Sequence, residues 1–449
     1  MCQNLKELSE DLIKKAEYLG ATSAEALVTK NKSLSIEVKN QKLEKIETSE
    51  TIGLGVRLFI NSQSACASIS STNENAINEM ISRAISMAKH STPDDFSLPA
   101  ERSELSSAWN EKRLKLLDKK YEKLNYEKLK NLTLEVEQAA LEVKGISQCE
   151  GAGFGANMSD FNLATSSGFS GGYKRTDFQL FCSAIAGKGS AMERDYASER
   201  RAFLTDLPDA LSIGKLAGNR AMERLEPRKP ITGSYPILFD QRVSNTLIAH
   251  LTSAINGVAL SRGSSWLLNS LGMKILSDNI TLLEDPTRPK IAGSRPFDGE
   301  GLIANPKALV KNGILKHYVL DLRSARKLNL KPTGNAYRYM SAAPQPGVGN
   351  LELLGGTHSR QELIQNINKG VLITSLLGST INQNTGDYSR GASGFWIENG
   401  EVAFPINGFT IAGNLKDMLA NIVASTDGKS HMSKVIPSLL VEKMTVASR

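Results

Sequence analysis

Residues 385–418 read TGDYSRGASGFWIENGEVAFPINGFTIAGNLKDM, and this stretch decides how the second half of the chain is built. Gly386, Gly391 and Gly394 lie at close, irregular spacing around Asp387, Ser389 and Arg390, a pattern that predicts a tightly bent backbone presenting polar groups. Phe395, Trp396 and Ile397 lead into Asn399-Gly400, the pair that suits a two-residue hairpin turn. Val402, Phe404 and Ile406 alternate on the return strand, and Pro405, lacking an N–H for a ladder, predicts an edge or a strand end. The fixed donor fork of Arg390 suits a peptide carboxylate or the carbonyls of an extended substrate. A pairing of Arg390 with Asp387 or Glu398 that merely holds the loop is the structural alternative. The hairpin from Phe395 to Ile406 is expected to offer a strand edge on which a peptide could add.

Outward from this stretch, a chain of 449 residues exceeds one ordinary core and divides into two or three domains. No window approaches 18 uninterrupted apolar residues, which argues against a membrane-spanning helix. Met1-Cys2-Gln3-Asn4-Leu5-Lys6-Glu7 enters a charged helix without an apolar signal core, so Cys2 is not expected to carry a lipid. Cys2, Cys66, Cys149 and Cys182 are widely spaced and form no CxxC, so neither a disulfide framework nor a thiolate zinc site is indicated, and a cytoplasmic setting is expected. The net charge of +7 raises a nucleic-acid reading. Much of it sits in Lys112–Lys130, where Leu114, Leu117, Leu124 and Leu129 interleave at helix-like spacing. That pattern predicts the solvated face of an amphipathic helix, and no nucleic-acid recognition motif accompanies it.

The periodicities predict an α+β fold. Leu5, Leu8, Leu12, Ala16 and Leu19 mark a helix ended by Gly20; alternating strands and a second helix over Asn75 to Lys89 follow. This first α+β unit is placed at 1–105. A second, at 106–229, repeats the order of helix, antiparallel strands and helix. Residues 230–449 are Gly-rich and predicted mainly β.

Several motifs fail on context. Gly151-Ala152-Gly153-Phe154-Gly155-Ala156 satisfies a dinucleotide fingerprint, but the residues after it read as turn and strand where a helix N-terminus is needed. Gly168-Phe169-Ser170-Gly171-Gly172 satisfies the nucleophile-elbow pattern, yet Tyr173 to Leu180 continues as strand, so a hairpin turn is expected. Asp298 and Glu300, flanked by Gly299 and Gly301, suit either a carboxylate site or a turn.

The stretch 385–418, together with Met192-Glu193-Arg194-Asp195-Tyr196, the run from Arg224 to Asp240, and Thr333-Gly334-Asn335-Ala336, resembles the PmbA/TldE proteins, partners of the zinc peptidase TldD and once described as modulators of DNA gyrase. The resemblance implies a subunit of a TldD-type metalloprotease that cleaves small or unfolded peptides, processing peptide antibiotics and degrading antitoxins. In zinc-bearing relatives one helix carries HExxxH. The matching residues here are His250-Leu251-Thr252-Ser253-Ala254-Ile255, with the glutamate replaced by Leu251 and the second histidine by Ile255, and no cysteine follows Cys182. A catalytic zinc needs about three protein ligands and an open position. The expectation is therefore a chain that binds no metal or cofactor and has no catalytic residues of its own, with zinc in the partner subunit. Asp387, Ser389, Arg390, Phe395 and Trp396 are the candidate substrate or partner surface. In isolation a homodimer is an allowed state. Two other classes stay open: a regulator acting on gyrase or nucleic acid, and an independent hydrolase with an unrecognised site.

Overall fold

In the computed structural model, which describes residues 4–107, 109 and 111–448, the chain opens with α1 (Leu5–Tyr18). Cys2 lies outside the described residues. Asn4 caps the helix by accepting from the Lys6 N–H, and Leu5, Leu8, Leu12 and Ala16 are buried along one stripe. A meander of β1 (Ser23–Lys39), β2 (Lys42–Ile60) and β3 (Gln63–Ile69) follows, and α2 (Glu74–Lys89) returns across it. After the single turn α3 (Glu111–Leu114) the same order recurs: α4 (Tyr126–Leu141), β4 (Ile146–Thr165), β5 (Ser170–Ala186), β6 (Glu193–Arg201) and α5 (Ala210–Glu223).

The two meanders pair through their first strands, β1 antiparallel to β4. All six strands therefore form one antiparallel sheet in the order β3-β2-β1-β4-β5-β6, with β6 at one edge. Leu12, Ile81, Val56 and Leu58 pack in one core beneath this sheet, and Val136, Phe154, Phe178 and Ala217 in another. The glycine run 151–155 lies inside β4, and Gly168 turns the β4–β5 hairpin at φ +102°. Neither motif meets a helix N-terminus.

The single helix expected through Lys112–Lys130 is not formed. Lys115 adopts φ +48°, and one 3-10 turn at Lys119–Lys123 precedes the Asn125 cap of α4. Asp118 causes the break: its carboxylate accepts from the N–H groups of Lys120 at 2.9 Å and Leu204 at 3.0 Å, pinning the segment beyond the end of β6. Lys112, Lys115, Lys119, Lys120 and Lys123 are exposed.

The C-terminal region holds β7 (Gly233–Phe239), α6 (Gln241–Ala254), α7 (Gly257–Ser261), β8 (Thr281–Glu284), β9 (Lys307–Lys311) and β10 (Ile314–Leu315). It continues with α8 (Leu322–Lys327), β11 (Ala336–Tyr337), β12 (Gln345–Pro346), β13 (Leu351–Leu354) and α9 (Arg360–Gln365). The long strands β14 (Lys369–Ile381), β15 (Asp387–Glu398) and β16 (Glu401–Asn414) come next, then α10 (Leu415–Ala420), β17 (Val423–Ala424), β18 (Lys434–Val435) and β19 (Leu439–Ser448). Strands β16-β15-β14-β7-β19 are neighbours in that order, and β19 also pairs with β16 over Phe409–Ala412, so five strands close into a ring. The ring abuts the sheet β10-β9-β8-β13-β18 through a shared core that includes Leu282, Leu309, Leu351, Phe239 and Trp396. The α+β class read from sequence is what the structure shows.

Asn399 and Gly400, at φ +53° and +77°, turn β15 into β16 as predicted. The bent loop expected around Gly391 and Gly394 is instead β15 itself, and only Gly386 has a left-handed φ, +85°. Gly394 is required by close approach: a Cβ there would lie 1.9 Å from the Leu372 carbonyl oxygen of β14. The open edge expected on the hairpin is also largely absent. Beyond the β19 pairing, the Arg228 N–H donates to the Pro405 carbonyl at 2.9 Å, and the Asn407 N–H to the Arg228 carbonyl at 3.3 Å. Pro405 fits because that side of the strand meets only this single-residue bridge. Gly394→Ala is expected to cost about 3 kcal/mol, whereas Gly378→Ala, left-handed with open space around it, should cost about 1 kcal/mol; the unfolding midpoints of the two variants measure the difference.

Candidate functional site

Helix α6 lies between the strand ring and β6. Asp240 caps it by accepting from the Arg242 N–H, and Val243, Leu247, Ile248 and Leu251 bury one face. His250 is half-buried, its ring edge-on to Tyr388 at 5.9 Å, and its buried Nε2 has no hydrogen-bond partner. Burial, and then the nearby Arg390 charge, push its pKa down, so the imidazole is neutral at pH 7. Leu251 and Ile255 are both fully buried in the main core, and Ile255 is the helix C-cap. Among the described residues no three His, Cys, Asp or Glu side chains gather as a metal site would need. The residues around α6 do not fit a catalytic zinc: one lone imidazole faces a ring, and the two matching positions are packed apolar contacts.

Beside α6 runs a polar groove. A cavity of about 530 Å³ is lined by Met192–Tyr196 of the sheet edge, Arg224, Val243 and Thr246 of α6, Thr374–Leu377 of β14, and Arg390 and Ser393 of β15. Its wall is cross-linked by charge. Arg242 grips Asp195 with two guanidinium nitrogens, Nη1 donating to Oδ2 at 3.1 Å and Nη2 to Oδ1. Arg224 lies 3.6 Å from both Glu193 and Asp195 and donates to Ser393 Oγ at 3.0 Å. Burial raises the Asp195 carboxyl, but Arg242 outweighs it, and the net pKa lies below the ordinary carboxylate value. Thr374 Oγ1 is buried there without a partner. Tyr196 and Arg242 also line an adjoining cavity of about 410 Å³, where Arg200, Arg201, Arg220, Lys290, Lys429 and Lys434 face Asp177 and Glu199. The two cavities make one cationic cleft along β6.

The five surface candidates are not brought together. Arg390 is in the groove, its Nε donating to the Gly378 carbonyl at 2.7 Å; it pairs with neither Asp387 nor Glu398. Asp387 instead accepts from Thr385 Oγ1 at 2.6 Å and Asn414 Nδ2 at 3.0 Å, fastening a turn. Those hydrogen bonds hold its carboxyl below the usual range. Ser389 is half-buried in the ladder between Thr380 and Ala412. Trp396 is 3% exposed and stacks edge-on against Tyr235, while Phe395, on the other face of β15, packs with Leu363 and Leu372. Trp396 is core and Phe395 is partly covered, because strand alternation sends them to opposite packed faces. Of the residues that shape the groove, Asp195 falls in the Met192–Tyr196 element and Arg224 opens the run to Asp240, whereas Arg242 and Thr374 carried no advance signal.

Asp298 and Glu300 prove to be a buried turn. Asp298 accepts from the N–H groups of Glu300, Leu302 and Ala336, and Glu300 from the N–H of Leu322. Burial raises Asp298 to a pKa of about 6 and, helped by the Asp298 charge, pushes Glu300 well up.

Models of the PmbA/TldA metallopeptidase domain 1, central domain and C-terminal domain match residues 24–88, 119–225 and 232–448. The Metalloprotease PmbA homolog of Haemophilus influenzae is 33% identical over 447 residues, covering 99% of this chain and 96% of that protein. A crystal structure of a proposed modulator of DNA gyrase from Bacteroides thetaiotaomicron superposes with a TM-score of 0.92 at 27% identity, covering 99% of both chains. TldE from Thermococcus kodakarensis shares the fold, with a TM-score of 0.84 at 22% identity over 98% of this chain and 99% of that one. The chain belongs to the PmbA/TldA metallopeptidase family. Among the described residues no helix is long and apolar enough to cross a membrane.

Writing a zinc motif back into α6 should fail. Leu251→Glu combined with Ile255→His puts a carboxylate and an imidazole into fully buried positions and is expected to cost more than about 4 kcal/mol without stoichiometric zinc uptake, as thermal unfolding and elemental analysis would record. The buried carboxyls give a second expectation. A group with a folded pKa above its unfolded value retains its proton better in the native state, so stability falls as pH rises through that window, here from the ordinary 3.8 toward about 6 for Asp298. Glu300→Gln keeps an acceptor for Leu322 and removes one of the two acids; its unfolding midpoint should fall less steeply between pH 4 and pH 8, relative to wild type, when followed by calorimetry.

Proposed function

We propose that this chain is the zinc-free subunit of a TldD-type peptidase and that the cleft along β6 helps hold an extended peptide in the shared chamber. The carrying observation is the cleft itself: an edge strand, β6, faces α6 and β14 across a groove whose walls are fixed by Asp195, Arg242 and Arg224. An edge strand offers backbone groups to a partner in extended form, which gives affinity with broad sequence tolerance. Arg390 is positioned beside it to meet a peptide carbonyl or carboxylate. No step of bond cleavage is assigned to this chain: among the described residues no carboxylate or second imidazole pairs with His250, whose Nε2 is unpartnered. The metal and the activated water would come from the partner. Partnership is supported by the family, in which TldD and TldE names both occur among the relatives.

The test reconstitutes the chain with a zinc-bearing TldD-type subunit from the same cell. The isolated chain should carry well below one zinc and cleave no peptide, and the mixture should cleave. Arg390→Ala should leave melting and partner binding near wild type while slowing cleavage at least about tenfold, a barrier of about 1.4 kcal/mol. Unaltered cleavage would remove Arg390 from the peptide path. A tightly bound zinc in the isolated chain, lost on His250→Ala, would overturn the zinc-free reading.

A further inference from the structure

A further, partly open space, which borders the cleft at Ala292, has no part in the peptidase reading. A cavity of about 340 Å³ sits between the antiparallel sheet and the C-terminal loops, lined by β1, β4 and β5 on one side and residues 292–299 and 336–338 on the other. Its volume suits one small molecule. Its walls combine aromatic rings with a buried cation. Phe161 and Tyr173 stack edge-on at 4.2 Å, Phe297 packs against Tyr173 at 5.7 Å, and Tyr337 lies under the Arg295 guanidinium at 4.7 Å.

Arg295 is 6% exposed, and its Nε and Nη1 have no hydrogen-bond partner. Its Nη2 reaches Glu284 only at 3.4 Å and the Gly334 carbonyl at 3.3 Å. Glu284 is moreover shared: Lys307 Nζ at 3.2 Å, Asn335 Nδ2 at 2.7 Å and the Gly349 N–H at 3.1 Å all donate to it. The charge of Arg295 is thus only partly offset, and a buried donor left without an acceptor is costly. The nearby acids cannot supply the missing acceptor. Asp298 is filled by three backbone N–H groups, and Asp160 pairs with Lys174 at 3.0 Å. Arg175 and Arg338 add further positive charge to the lining, Arg175 donating to the Ser294 carbonyl and Arg338 to Glu25.

We propose that this cavity binds a small organic carboxylate with an aromatic or branched aliphatic body, its carboxylate on Arg295 and its body against Phe161, Tyr173, Phe297 and Tyr337. The apolar walls supply the burial, and the arginine supplies a charge-assisted contact that a neutral molecule cannot make. A free metabolite and the C-terminal residue of a peptide offer the same chemistry.

Hydrocinnamate is the probe, titrated calorimetrically into the purified full chain, with hydrocinnamyl alcohol as the neutral comparison. Saturable one-site binding is expected, at least about tenfold tighter for the acid than for the alcohol. Asn31→Trp, an exposed position at the cavity lining, should abolish binding by filling the space with unchanged melting. Arg295→Gln should level the acid and the alcohol if it folds; if it does not, Asn31→Trp still decides. A tripeptide ending in phenylalanine that binds as tightly as hydrocinnamate would assign the site to peptide termini, and one that binds much more weakly would assign it to free acids. No saturable binding of hydrocinnamate, equal affinity for acid and alcohol, or full binding by Asn31→Trp would each overturn the proposal. None of these outcomes bears on peptide cleavage with a zinc-bearing partner, so the two readings fail separately.

Discussion

Asp195 on β6 and Arg242 on α6 fasten the antiparallel sheet to the strand ring, and the groove takes its shape from that pair. Both side chains are largely buried, 5% and 16% exposed. Removing either would strand the other charge in a poorly solvated place, an effect of about 3–5 kcal/mol in comparable sites. The pair is better regarded as an orienting device than as a source of net stability, because well-packed apolar groups can serve equally well energetically. Arg224 extends the device by reaching Glu193, Asp195 and Ser393 together, so the end of α5, the sheet edge and β15 are set in one frame. A second clamp of the same kind joins Glu25 of β1 to Arg57 of β2 and to Arg338 in the C-terminal region.

What could be read in advance follows the range over which each feature is determined. The Asn399-Gly400 turn is local, since its two left-handed residues need no other part of the chain, and it was legible. The need for glycine at Gly394 comes from a carbonyl on β14, twenty-odd residues away, so the same letters looked like a loop. Trp396 and Phe395 looked like a presented surface because covered and open faces of a strand are indistinguishable until the neighbouring layers are known. Lys112–Lys130 had a helical period, but the tertiary bonds of Asp118 overrode it. Asp195, Arg224 and Arg242 became a site only through folding, from three elements whose ordering along the chain says nothing about their meeting.

The state of α6 also bears on how a metallopeptidase fold holds together in this chain. Where a metal would tie a helix to its surroundings, α6 is retained by Leu247, Ile248, Leu251 and Ile255 in a continuous apolar core. Its retention in the fold rests on that packing. Helix α6 is thus part of the frame, and charged side chains lie beside it on β6, at the end of α5 and on β15.

The ring of strands has a consequence for how the chain acquires its shape. Strand β7 is flanked by β14 and β19, and the Thr232 hydroxyl donates to the Ser448 carbonyl, 216 residues further along. During synthesis β7 and α6 emerge long before the strand that completes them. They must wait with an unpaired edge and an uncovered apolar stripe, whereas each three-stranded meander of the antiparallel sheet, built from neighbours in sequence, can form at once, leaving the β1–β4 seam to join them. Contacts of such separation slow folding, and waiting edges invite wrong partners. The C-terminal half should therefore be the part of the nascent protein that leans on chaperones, and the part whose truncation by even one strand leaves the ring open.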